Sequence, residues 1–199
     1  ATEKVEKLTS HGKAGAFLFA GPDLLLCQKK SDNPYHTDYE YFHLSDGSTQ
    51  PAFTIPYPVN RLEKLSDTLY LVNADVDLNR DETMTEAELK AEADYIKIGE
   101  LPFWDNGVGY VSGHRDTLFL YNSADGSIQP ITEKHLSVGS VAVSGDGQSI
   151  YFTGYHYTQA KYDKFGLYHF SVPKQKLTEV VPQDTMRFGQ LKFVGDQLF

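Results

Sequence analysis

Val138 to Tyr155 reads Val-Gly-Ser-Val-Ala-Val-Ser-Gly-Asp-Gly-Gln-Ser-Ile-Tyr-Phe-Thr-Gly-Tyr. Two β-branched or aromatic runs, Val138 to Val143 and Ser149 to Tyr155, flank the stretch Ser144-Gly145-Asp146-Gly147-Gln148. Gly145 and Gly147 can take positive φ without steric cost, and the Asp146 carboxylate can bond its own backbone. The stretch therefore predicts a β-hairpin. Slid along the chain, this hairpin serves as a template, because weaker copies stand before and after it.

The first unit holds Ala14 to Ala20 and Leu24 to Gln28 around Gly21-Pro22-Asp23, then Tyr39 to Leu44, then Pro51 to Ile55. Pro51 cannot donate to a ladder, which places that last strand at an edge. The second unit runs Val59 to Leu65, Leu69 to Ala74, Thr117 to Asn122 and Ser127 to Thr132, with an acidic insertion over 75–100. The third is the opening hairpin plus Gly166 to Ser171 and Leu177 to Val181. A fourth starts at Phe188 to Val194, turns at Gly195-Asp196 and stops at Phe199.

Four short antiparallel strands per repeat is the plan of a β-propeller blade. The third strands align without gaps, Leu118 to Asn122 over Leu167 to Ser171, and Leu69 to Val72 matches Ile150 to Thr153. Strand spacing alone leaves a β-sandwich open as the other architecture. The expected fold is all-β: a partial β-propeller of about three four-stranded antiparallel blades plus the start of a fourth, with one short helical insertion. Residues 1–199 are read as a single incomplete domain, with units at about 14–56, 59–132, 138–182 and a truncated 188–199. Since four blades are the usual minimum for closing a ring, the chain is expected to be part of a longer protein.

Composition narrows the functions. The formal charge is −9, but nine acids against Arg80, Lys90 and Lys97 put −6 of it between Asp75 and Glu100. No basic stripe exists, so phosphate-neutralising contact with nucleic acid is not expected. Cys27, the only cysteine, excludes an internal disulfide and reads as a small buried hydrophobe rather than a catalytic thiol, since no base pairs with it locally. Ala1 to Ser10 is charged, which predicts no signal peptide, and no apolar run approaches the ~20 residues of a membrane helix. A reducing cytoplasm is the expected compartment.

Glu100 to Thr132 carries Leu101-Pro102-Phe103, Gly107-Val108-Gly109-Tyr110, Asp125-Gly126 and Ile131-Thr132. This pattern resembles the N-terminal propeller of the prolyl oligopeptidase superfamily of serine peptidases, nearest its acylaminoacyl-peptidase-like members. Ser144-Gly145-Asp146-Gly147 with Ile150-Tyr151-Phe152 is similar to the Ser-Pro-Asp-Gly repeat of those propellers, with Gly145 in place of proline. The resemblance implies a parent in which the propeller gates peptide access to an α/β-hydrolase domain bearing a Ser-Asp-His triad. That domain and peptide substrates are then the expected partners. No Gly-x-Ser-x-Gly elbow occurs here, so no catalytic residue is assigned to this chain and no cofactor is expected. The alternative is a self-associating, non-enzymatic binding or scaffold propeller that pairs its open edges into a homo-oligomer.

Two constellations invite a sharper reading. Asp77, Asn79, Asp81, Thr85 and Glu88 fall at oxygen-ligand positions of a calcium loop. Glu82 stands where that loop needs glycine, and Thr85 with Glu88 also makes a helix capping box ahead of the apolar stripe Leu89, Ala93 and Ile96. A solvated acidic loop is the plainer reading, and no metal ligand is assigned. The seven histidines, His11, His36, His43, His114, His135, His156 and His169, show no metal-ligand spacing, and His43 and His169 are expected at equivalent third-strand positions. The aromatic loop Tyr155 to Asp163 is expected either to contact a substrate or a partner domain, or to pack on the adjacent blade.

Overall fold

The structure, a computed structural model, describes residues 14–29, 31–80, 83–85, 87, 88, 91, 95–161, 164–186 and 188–199. Strands β1 (Ala14–Gly21), β2 (Leu24–Lys29), β3 (Thr37–His43) and β4 (Thr49–Ile55) form a sheet in the order β1-β2-β3-β4, each pair antiparallel. Pro51 lies in β4, an edge strand, where its missing N–H leaves no ladder bond unmade. Strands β5 (Val59–Lys64) and β6 (Leu69–Asp77) lead into the insertion. This holds the two-residue strands β7 (Trp104–Asp105) and β8 (Gly109–Tyr110), paired with each other. The chain then returns as β9 (His114–Asn122) and β10 (Ser127–Pro130), giving a sheet in the order β10-β9-β6-β5.

Strands β11 (Leu136–Val143), β12 (Ser149–His156), β13 (Phe165–Ser171) and β14 (Lys176–Met186) make the third four-stranded sheet, in sequence order. A last hairpin pairs β15 (Phe193–Val194) with β16 (Gln197–Leu198). The chain is thus a partial β-propeller: three four-stranded meanders, a further hairpin and almost no helix. Helical backbone is confined, among the described residues, to Ala87, Glu88 and Ala91. Two compact units divide the strands, one over residues up to Val72 with Leu120–Ile128, the other over Asn73–Phe119 with Gln129–Phe199.

In the first unit, Phe53 gathers Tyr39, Tyr70 and Tyr121 at centroid distances of 5.2, 5.5 and 4.8 Å. Leu25, Cys27 and Phe42 form a second buried cluster. Burial, with the Glu40 charge adding to it, raises the Cys27 thiol pKa and keeps it protonated. In the second unit, Ile150 and Phe152 of the central strand β12 are fully buried, and Phe152 stacks on Tyr168 at 5.2 Å.

The opening turn forms through one carboxylate. Asp146 Oδ1 accepts from Ser144 Oγ at 2.5 Å and from the Gln148 N–H at 3.0 Å. Of the two glycines expected at positive φ only Gly147 complies, at 70°, while Gly145 keeps an ordinary φ. With Gly147 N–H donating to Ser144 O, Gly145 holds the second position of a tight turn, a position that also accepts proline. The device recurs: Asp46 takes the Ser48 N–H and Asp125 the Ser127 N–H, each at 2.9 Å, and Gly47 and Gly126 follow at positive φ.

Several strand ends differ from the expected ones, two of them for a reason visible in the hydrogen bonds. β10 stops at Pro130 rather than Thr132, because the Thr132 hydroxyl itself takes the Leu118 N–H. The strand expected from Phe188 begins only at Phe193, since the Leu191 N–H donates to Ser140 Oγ instead of to a ladder. His43 and His169 are not equivalent. Gly47 closes its turn on His43 O as Gly126 does on Asn122 O, so His43 matches Asn122 and Ser171, and His169 matches Tyr41 and Leu120. The buried Phe42, Tyr121 and Phe170 mark the shared register.

Candidate functional site

β6 and β9 part at Asp77 and His114, and the insertion rises from that fork. Its root is Arg115, a residue 1% exposed, shortly before the buried apolar run Leu118 to Tyr121 of the same strand. A buried guanidinium is tolerable only if most of its donors are used, and here all but Nε have partners. Nη1 donates to Glu100 Oε2 (2.9 Å), His114 O (2.9 Å) and Tyr157 Oη (2.8 Å). Nη2 donates to Glu100 Oε1 (2.5 Å) and Tyr157 O (3.0 Å). Its carbon also lies 3.6 Å from the Tyr157 ring centroid.

Burial alone would raise the Glu100 pKa, but its bonds from Arg115 and the Gly113 N–H outweigh that and hold it below the ordinary glutamate value. Burial, partly offset by the Arg115 charge, pushes the Tyr157 phenol up to about 12, so it stays a neutral donor and acceptor. The result is a clamp that joins Glu100, β9 and the end of β12 within one unit.

A second tie stands beside it. His114 Nδ1 is 2.8 Å from Asp75 Oδ2. The bond to Asp75 raises the His114 pKa, burial opposes, and the charges of Asp75 and Asp77 add to the rise while Arg115 counters it. A raised histidine value means that the pair's stabilisation is complete below about 6.5 and fades as pH climbs through the folded-state pKa. Both side chains are more than a third exposed, so the contribution stays under about 1 kcal/mol. His114→Gln is expected to lower Tm at mildly acidic pH and to converge on the parent at alkaline pH. A Tm difference that does not change with pH would refute this role.

Above the root, Leu78 N–H donates to Gly113 O and Asn79 Nδ2 to Ser112 O. Gly113 has φ 83°, and a Cβ there would stand 2.0 Å from Asn79 Nδ2, so only glycine fits. Leu101 N–H donates to Gln159 O and Lys161 N–H to Leu101 O, lashing the insertion to the loop after β12. On this pedestal sits the β7–β8 hairpin, where Trp104 meets Tyr110 edge to face at 4.9 Å. Apolar side chains are exposed on it and just before it: Leu101, Phe103, Trp104, Val108 and Tyr110 are 60, 41, 50, 74 and 46% exposed. Exposed aromatics clustered on a rigid support are the composition of a docking surface.

The residues singled out from the sequence fall mostly elsewhere. Asp77 Oδ1 accepts the Asn79 N–H, and the Asn79 amide nitrogen is spent on Ser112. Thr85 and Glu88 bond each other as the capping box, Glu88 Oε2 accepting the Thr85 N–H and hydroxyl at 2.8 and 2.7 Å. Asp81, with Leu89 and Ala93 of the stripe, lies outside the described residues, and Ile96 is exposed. Among the described residues no group of three His, Cys, Asp or Glu suits a metal ion.

His169 Nε2 contacts Ser149 Oγ at 3.2 Å and its ring stacks on Tyr151; His11 lies outside the described residues. In the aromatic loop Tyr155 and Tyr157 are buried and His156 is exposed, whereas Tyr162 and Asp163 lie outside the described residues. The clamp was missed in the sequence. Its one signal was an arginine set in His-Arg-Asp-Thr-Leu-Phe-Leu, a strand with no other reason to carry a cation. Among the described residues no helix is long and apolar enough to cross a membrane.

No family model matches this sequence, and no curated protein matches it either. Solved structures do share its fold. Acylaminoacyl peptidase from Pyrococcus horikoshii superposes with a TM-score of 0.59 at 11% identity, covering 86% of this chain and 25% of its own. For puromycin hydrolase the TM-score is 0.52 at 10% identity, over 97% of this chain and 26% of the hydrolase. TolB from Acinetobacter baumannii gives 0.51 at 13%, over 96% and 38%. The chain therefore spans about a quarter of the length of the acylaminoacyl peptidase and of the puromycin hydrolase. What it shares with them is the fold, a β-propeller portion.

Proposed function

We propose that this chain is the N-terminal propeller portion of a serine peptidase, and that in the parent it restricts which peptides reach an α/β-hydrolase domain. The observation that carries the reading is the run of three four-stranded meanders, superposable on a quarter of an acylaminoacyl peptidase and of a puromycin hydrolase. The absence of a Gly-x-Ser-x-Gly elbow from these residues agrees with a division of labour in which chemistry lies elsewhere in the polypeptide. The apolar β7–β8 hairpin is then the face offered to the catalytic domain. A cytoplasmic location belongs to the same proposal, supported by a single cysteine that is buried and unpaired.

The test is hydrolysis of a chromogenic aminoacyl ester by the purified chain and by the full-length product of its gene. Turnover blocked by a serine-directed inhibitor is expected from the full-length protein alone, and removal of the propeller is expected to admit longer polypeptides. Inhibitor-sensitive turnover by the chain itself would overturn the reading. A second reading, self-association into a scaffold, is favoured by Phe17 and Phe19, both 64% exposed on the edge strand β1. An inert gene product that sediments as a defined oligomer would favour it.

A further inference from the structure

Asn106-Gly107, the only Asn-Gly pair in the sequence, forms the tip of the β7–β8 hairpin. Both residues are exposed. The turn is closed by the Val108 N–H donating to Asp105 O at 3.2 Å. Gly107 has φ 84°, and nothing lies within 4 Å of where its Cβ would be. Among the described residues no hydrogen bond holds the Asn106 carboxamide. Other asparagines differ. Asn122 Oδ1 accepts the Ala124 N–H at 3.0 Å, Asn79 Nδ2 is bound to Ser112 O, and Asn33 precedes Pro34, which has no N–H to attack with.

We propose that Asn106 is a spontaneous deamidation site that acts as an ageing switch on the apolar hairpin. The Gly107 backbone nitrogen, losing its proton to hydroxide, attacks Asn106 Cγ. A C–N bond forms, the side-chain amide leaves as ammonia, and a five-membered succinimide remains. Water opens that ring at either carbonyl, leaving aspartate or isoaspartate, with no change of oxidation state. Glycine favours the closure because it has no Cβ to crowd the ring, and the open space around Gly107 leaves the turn free to deform.

Either product sets a carboxylate next to Asp105 at the tip of the hairpin that carries Trp104 and Tyr110, and isoaspartate also adds a methylene to the backbone of the turn. A hairpin that presents aromatics to a partner would then present clustered negative charge, which costs desolvation on docking. The chemistry is independent of the peptidase reading; only the consequence for docking to a catalytic domain rests on it.

The native chain is incubated at mildly alkaline pH and physiological temperature, digested, and assayed by tandem mass spectrometry and by isoaspartyl methyl transfer. The expected result is the mass shift of an NH2-to-OH exchange at Asn106, with both isomers present, ahead of Asn122, and its loss in Asn106→Gln. An Asn106 that stays intact in the native chain while the denatured chain reacts there would overturn the proposal, as would Asn122 reacting equally fast.

Discussion

Arg115→Met is expected to cost about 3–5 kcal/mol, because it strands Glu100 among buried groups with its charge uncompensated. For a chain of this size that corresponds to a fall in Tm of about 6–20 °C. The same substitution removes both donors to Tyr157, so the insertion and the loop after β12 keep only the backbone tie through Leu101. Proteolytic nicking between Tyr95 and Val111 should appear before the sheets unfold. Arg115→Met with Glu100→Leu should recover most of the loss, since an apolar pair of similar volume carries no charge to desolvate.

The Glu100 pKa is depressed in the folded state, so its contribution is complete above about 4.5 and disappears as pH falls through the folded value. The gap between Arg115→Met and the parent should therefore narrow in acid. A loss below about 1 kcal/mol at neutral pH would show that the pair is surface-like after all.

Phe152→Ala is expected to be as damaging for another reason. Phe152 is fully buried at the centre of β12, stacked on Tyr168 at an interplanar angle of 15° and paired on both sides by β11 and β13. Truncation to alanine leaves a cavity that two hydrogen-bonded neighbours cannot close, at a cost of about 3–5 kcal/mol. No charge is involved, so chemical denaturation should return the same loss in acid and at neutral pH. Unfolding should be global, without early nicking of the insertion. Equal nicking in the two variants would mean that the clamp does not hold the insertion separately from the sheet.

These expectations separate what was readable in the chain from what was not. Ser144 to Gln148 announced its turn because each requirement is local: a short acceptor at Asp146 and a residue free to adopt positive φ at Gly147. The meander order followed from repeating that unit, even across the long excursion between β6 and β9. What escaped was every interaction formed across that excursion. Arg115 and Glu100 are fifteen positions apart, and Arg115 and Tyr157 forty-two, so no spacing rule connects them. Leu101-Pro102-Phe103 and Gly107 to Tyr110 were legible as a family pattern, yet not as a separate hairpin with aromatics outward. Two of the strand ends that moved did so because side-chain hydroxyls, on Thr132 and Ser140, intercepted backbone donors that a pattern of apolar residues does not register.

The lashing of the insertion at two heights has a consequence for how the chain can change. Leu78 to Gly113 closes the whole excursion at its base, while Leu101 with Gln159 and Lys161 pins it again higher up. The acidic segment between these two ties thereby has both its ends held, at Leu78 and at Leu101. Closure entropy grows only with the logarithm of length, about 0.6 kcal/mol for a doubling. Residues can be gained or lost in that acidic stretch while the hairpin beyond it keeps its place. Variation in charge and length can accumulate there without disturbing the surface that the rest of the insertion presents.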